Sequence, residues 1–288
     1  SGTPSAAKLQ KTLGLWHIII IGLAYIQPMT LFDTFGLVSE ESHFHVPTSY
    51  IFALIAILLT SLSYGHMIRR YPSSGSAYTY AQKSIHPNIG FMVGWSSWLD
   101  YLLSPMVNII LAVIYLEALF PGVNHWMWVV ILTAFMTAVN LKGARFVANF
   151  NSLIVLIQLI VIAVFTYLVY SKLQAGFNAD GPISADQRYQ LWSLEPFWNE
   201  ITSVGALVTG ATLLCFSFTG FDSLSSLAEE TKDTEKTLPK AIFLTALIAG
   251  VIFIISAYFM QIYFPNDPKS YFADVAATQP DILMLVGG

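Results

Sequence analysis

Seven stretches of this sequence are apolar over lengths close to or above what a helix needs to cross a lipid bilayer: roughly 14–38, 48–68, 89–118, 126–141, 148–171, 203–228 and 239–264. About 20 apolar residues traverse the hydrocarbon core as a helix. In lipid every backbone N–H and C=O must find its partner within the protein. The fold class that follows is an all-α polytopic membrane protein. The fourth stretch is short, but Trp126 and Trp128 at its start belong where a helix enters the interface. An eighth span would begin near residue 283. Hydrophobic residues make up 55% of the chain and charged residues 10%, against about 25% charged in a soluble domain. Such a chain cannot cover a water-facing surface. It starts at Ser1 without a methionine and stops at Gly288 as DILMLVGG turns apolar again, which reads as part of a longer protein. The first stretch is too long and too interrupted by Gly and Pro for a cleavable signal peptide. Cys215 is the single cysteine, which excludes an intrachain disulfide and a cysteine metal site.

Charge sets the orientation. With the N-terminus in the cytoplasm, Lys8, Lys11, Arg69, Arg70, Lys83, Lys142, Arg145, Lys232, Lys236 and Lys240 lie inside, and only Lys172, Arg188 and Lys269 lie outside. The positive-inside rule selects that orientation. The outer loops at 172–200 and 265–282 are long and acidic, with room for a short surface helix each. The inner segment at 70–83, RYPSSGSAYTYAQK, is too polar to cross and too rich in small residues and tyrosine for a plain linker. It suits a re-entrant element lining the inner mouth.

Two of the spans are interrupted near their middle. One reads GLAYIQPMTLFDTFG at 22–36, with Pro28 inside and Asp33 beyond; the other reads TGATLLCFSFTGFDS at 209–223, with Gly220 inside and Asp222 beyond. A break frees backbone groups that lipid cannot satisfy, so it persists where they line a polar cavity. Paired broken spans are the best sequence pointer to a transporter's binding site. Intramembrane carboxylates are functional candidates by default. Four acidic residues fall within spans: Asp33, Asp100, Glu117 and Asp222. Glu117 lies at the outer end of its span and reads as a surface residue. For Asp100, in GWSSWLDYLLSPM, a structural role and substrate contact both stay open. Asp33 has the alternative of bonding the freed amides of its own span. Asp222 starts the outgoing half-helix, where the helix dipole also favours a carboxylate.

Half-helix N-termini in such transporters usually hold an anionic group of the substrate. Here carboxylates occupy that zone beyond both breaks, and apart from Lys240 at the edge of the last one no Lys or Arg falls within an expected span. Buried charges need partners, and an organic cation would supply them. Tyr25, Phe32, Trp98, Tyr101, Phe216, Phe218 and Phe221 lie near the breaks and offer cation–π contacts of about 0.5–2 kcal/mol each. The histidines at 17, 43, 45, 66, 86 and 125 form no metal-ligand pair by spacing, and neither GxxxxGK[ST] nor GxSxG occurs. No cofactor, metal or nucleic acid is implied. The energy source is then an ion gradient, exchange or facilitation. Any of the intramembrane aspartates would serve proton coupling, because burial favours the neutral form of a carboxyl group.

The stretches GLAYIQPMTLFDTFG, RRYPSSGSAYTYAQKS, GFMVGWSSWLDYL, VANFNSLIVLIQ, GATLLCFSFTGFDSLSSLAEETKD and LPKAIFLTALIAGVIFI resemble the amino acid–polyamine–organocation transporters, and within them the bacterial putrescine importers. The likeness runs from about residue 8 to 264. It implies a leucine-transporter-type fold with two inverted five-helix repeats and spans one and six broken at the midplane. It also implies twelve spans in the intact protein. On that basis 14–171 would be the first repeat and 203–288 the start of the second. The resemblance makes 24–29 the unwound part of span one, Phe216 an aromatic gate over the substrate, and Asp222 the acidic residue after the sixth-span break. Some relatives carry a lysine in span five where this chain has Gln158; its absence suits a cationic ligand.

The expected function is import of putrescine or a similar diamine by proton symport with alternating access, in a bacterial inner membrane. The alternatives are an amino-acid permease of the same superfamily and a ligand sensor that does not transport. A membrane-embedded enzyme is the weakest reading, since no nucleophile–base pair is present. The candidate substrate-binding residues are Ala24, Tyr25, Gln27, Met29, Asp33, Asp100, Tyr101, Phe216, Ser217, Phe218, Gly220 and Asp222.

Overall fold

A computed structural model of the chain describes residues 11–141, 144–178, 181–182, 193–198 and 203–264. The first apolar stretch folds as two helices, α1 (Leu15–Ile26) and α2 (Thr30–Glu41), bent by 52° at their junction. The sequence forces that bend. Gln27 adopts a left-handed conformation with φ 51°, and Pro28 has no N–H to continue the ladder. The unwound part is therefore 27–29, shorter than the expected 24–29: Ala24 and Tyr25 still belong to the last turn of α1.

Next come α3 (Val46–Arg70), the short α4 (Ser76–Ser84), α5 (Pro87–Leu119), α6 (His125–Leu141) and α7 (Ala144–Gln174). The two-residue strands β1 (Phe177–Asn178) and β2 (Gly181–Pro182) pair antiparallel. The sixth stretch begins as α8 (Val204–Leu214), tightens into a 3-10 turn at Cys215–Phe218, breaks, and resumes as a 3-10 helix at Asp222–Glu229. The last described element is α9 (Thr234–Tyr263).

By length and apolarity, five helical segments among the described residues can cross a membrane, or six with α1 and α2 counted as one span. The 17-residue α6 is a shorter apolar helix. These segments and α6 fall on the seven expected apolar stretches, with two starts corrected: α7 begins at Ala144, four residues before 148, and α9 begins before 239. Helix α9 starts at Thr234 instead of 239, so Lys236 joins Lys240 within its first turns. Pro239 is accommodated inside the helix, and a Cβ on Gly65 of α3 would lie 3.1 Å from that proline. The expected eighth span and most of the two outer loops lie outside the described residues.

The core runs through α1, α2, α3, α8 and α9, where Ile18, Leu31, Phe35, Tyr50, Leu214, Phe218 and Phe253 are fully or almost fully buried. Span one packs on span seven through Gly22, where a Cβ would come within 2.7 Å of Leu224 and Thr245. Span six packs on span two through Gly210, where a Cβ would come within 2.6 Å of Ser49. The outward faces of α5, α6 and α7 stay apolar and exposed, with Phe91, Trp95, Leu103, Val130, Phe135 and Leu156 among them. So extended an apolar surface suits lipid or further helices and not water. On the side assigned to the cytoplasm, Thr12 and Leu13 donate backbone hydrogen bonds to the Glu230 carbonyl, and Lys232 N–H donates to the Leu13 carbonyl at 2.9 Å. The N-terminal segment is thereby fastened to the far end of span six.

Candidate functional site

The two breaks touch. Gly220 has φ 105°, a conformation that costs any residue with a side chain. A Cβ there would also lie 2.5 Å from the carbonyl oxygen of Tyr25. Glycine is thus required twice over, by the turn and by the close approach of span one. The last turn of α1 and the break of span six form one junction, with the Tyr25 carbonyl set against Gly220.

Each outgoing half begins with a carboxylate in its first turn: Asp33 in α2 and Asp222 in the 3-10 helix. The first N–H groups of a helix have no intrahelical partner, and the dipole favours negative charge there. The backbone amides of Gly220, Asp222 and Ser223 lie against the Asp222 carboxyl group, and Asp100 and Tyr64 are close enough to interact with its charge. Tyr64 of α3 stands edge-on to Phe221 at 5.9 Å and to Tyr80 of α4 at 5.8 Å. Helix α4 lies outside the spans; burial raises the Tyr80 phenol above its usual value, so it faces Tyr64 as a neutral ring. Tyr101 of α5 lies 3.4 Å from the Ser223 hydroxyl, oxygen to oxygen.

Asp33 finds its partner elsewhere. The Tyr115 hydroxyl of α5 donates to Asp33 Oδ1. The adjacent Thr34 hydroxyl lies 3.4 Å from Ser217 Oγ, and Tyr50 Oη of α3 lies 3.4 Å from the same Ser217 oxygen. Thr34, Ser217 and Tyr50 thus join both broken spans to α3 through neutral groups.

The sequence candidates divide accordingly. Tyr25, Gln27, Asp100, Tyr101 and Phe216 are exposed, and Ala24, Met29, Asp33, Gly220 and Asp222 are partly exposed, so none of these ten is sealed in the core. Phe218 is fully buried, T-shaped against Phe253 at 5.4 Å and beside Tyr50; its ring serves the core. Ser217 is fully buried in the hydroxyl cluster. Glu117 pairs with His125 at 2.8 Å, both partly exposed. Asp100 accepts from its own-helix neighbour Ser104. Sequence reasoning missed Tyr115, Thr34, Tyr50 and Tyr64. The available signal was a polar oxygen inside an apolar span, which in lipid must find a partner. Among the described residues no group of three or more His, Cys, Asp or Glu side chains converges as for a metal.

The family model for amino acid permeases matches residues 17–285. The low-affinity putrescine importer PlaP of Escherichia coli (strain K12) is 57% identical over 284 residues, covering 99% of this chain and 60% of that protein. Amino-acid permease RocE of Bacillus subtilis (strain 168) is 26% identical over 250 residues, 86% of this chain and 53% of its own length. The gamma-aminobutyric acid permease of Escherichia coli (strain K12) is 25% identical over 225 residues, 78% and 47% respectively. The chain therefore spans 60% of the length of the putrescine importer it matches.

Proposed function

The chain belongs to the amino acid permease family, and from that premise we propose that the full-length protein imports putrescine or a similar diamine by proton symport with alternating access. The observation that carries the reading is the pair of carboxylates, Asp33 and Asp222, each in the first turn beyond one of two touching breaks. Among the described residues no Lys or Arg side chain is ion-paired to either of them. Two carboxyl groups without basic partners suit a solute with two ammonium groups. The exposed rings of Tyr25, Tyr101 and Phe216 supply faces for its methylenes and charge. Likeness to a putrescine importer supports the substrate class.

The division into a first repeat at 14–171 and a second beginning at 203 belongs to the same proposal. It draws support from the packing, in which span one lies on span seven as span six lies on span two. The proposed location is a bacterial inner membrane with the N-terminus inside. The fastening of residues 12–13 to Glu230 and Lys232, beside the basic residues 232, 236 and 240, supports that orientation.

Competition tests the substrate class. Putrescine should displace bound radiolabelled putrescine from the purified full-length protein far better than alanine or glutamate. Equal competition by either amino acid would overturn the diamine assignment and favour amino-acid transport.

A further inference from the structure

We infer that Tyr115 is a positioning residue that holds Asp33 as a separate subsite for the second ammonium group of a diamine. The inference rests on the import reading above and goes beyond it, since it divides recognition between two carboxylates with different tasks.

Tyr115 lies on α5 and Asp33 in the first turn of α2, 82 positions apart, and the tyrosine hydroxyl donates to Asp33 Oδ1. A phenol fixes a carboxylate without cancelling its charge, whereas a Lys or Arg partner would consume the charge that a cationic ligand needs. An ionised carboxylate has about four acceptor positions, and the hydrogen bond from Tyr115 occupies one. Oδ2 stays available on a side chain that is only partly buried. Thr34, the next residue, donates to the Thr30 carbonyl at 2.9 Å and meets Ser217. The backbone that carries Asp33 is therefore held on its other side as well. At Asp222 the arrangement differs: backbone amides of the break lie against the carboxylate, and among the described residues no phenol is bonded to it. One site is built on the break itself and the other on a neighbouring helix. A solute with one ammonium group has use for one of them; a diamine has use for both.

The test uses the full-length protein in proteoliposomes, with radiolabelled putrescine as substrate and butylamine, the monoamine of equal chain length, as competitor. Tyr115→Phe should raise the half-saturating putrescine concentration about tenfold, the loss of one hydrogen bond to a charged group. The maximal rate and the inhibition constant of butylamine should stay near their original values. Asp33→Asn should do the same or more. The double variant should be no worse than Asp33→Asn alone, because a residue that acts only through Asp33 has nothing left to position. Additive losses, an equal loss for butylamine, or an unchanged half-saturating concentration in Tyr115→Phe would each overturn the inference. If Asp222→Asn still abolishes uptake in that case, the import reading survives without it. Failure of the unaltered protein to take up putrescine would remove both.

Discussion

Asp222 and Gly220 sit two positions apart at the second break and fail in different ways when changed. Asp222→Asn keeps size and shape but removes the charge that a bound ammonium would face. Leaving a desolvated ion without its partner costs several kcal/mol, so uptake of putrescine should fall roughly 100-fold or more, with the protein still monodisperse in detergent. Near-normal uptake by that variant would remove Asp222 from the site. Gly220→Ala instead strains the backbone at φ 105° and presses a methyl group on the Tyr25 carbonyl. It should lower stability by about 1–2 kcal/mol, read as a reduced melting temperature in detergent, and impair uptake together with folding. Both residues were legible in the sequence, because a glycine and an acid inside an apolar run have few other reasons to be there. The phenol of Tyr115 was not, since its partner lies 82 residues away and a tyrosine in a span reads equally as an interfacial or core aromatic. Phe216 and Phe218 show the same difficulty. Two positions apart in one run, the first is exposed at the break and the second is fully buried, and on an irregular 3-10 turn no simple periodicity tells them apart.

The broken spans depend on how closely their neighbours approach. Gly22 lets α1 lie against α9 and the second half of span six, with Leu224 and Thr245 at contact distance. Gly22→Val should force these helices apart. Overpacking of that kind costs about 1–3 kcal/mol and should lower the detergent melting temperature more than a valine at an exposed α1 position such as Ile20. An equal melting temperature for the two variants would contradict the packing described for span one. The positions of the breaks were readable from Pro28 and Gly220, but their extents were not. The first is confined to 27–29 because a single left-handed residue before the proline suffices to turn the chain. The second reaches back to Cys215 because the whole run from there to Phe218 winds as a 3-10 turn. The start of α9 was misjudged for a related reason. Pro239 looks like a helix start, yet Thr234 already begins the helix, with its hydroxyl bonded to the Ala228 and Thr231 carbonyls.

Across the whole molecule, the apolar exposed faces of α5, α6 and α7, the buried hub of α1, α2, α3, α8 and α9, and the fastening of the N-terminal segment to span six describe a member of the amino acid permease family built around two touching breaks. A dication that moves inward is already driven by the membrane potential, at about 2.3 kcal/mol per charge per 100 mV. Coupling to protons can therefore be seen only when the potential is held at zero. The most direct measurement is uptake of radiolabelled putrescine by the full-length protein in proteoliposomes, with the potential clamped and an inward proton gradient imposed. The account predicts accumulation above the external concentration that collapses when the proton gradient is dissipated and does not require sodium. Uptake no greater than in protein-free liposomes, or accumulation that follows a sodium gradient and ignores the proton gradient, would contradict it.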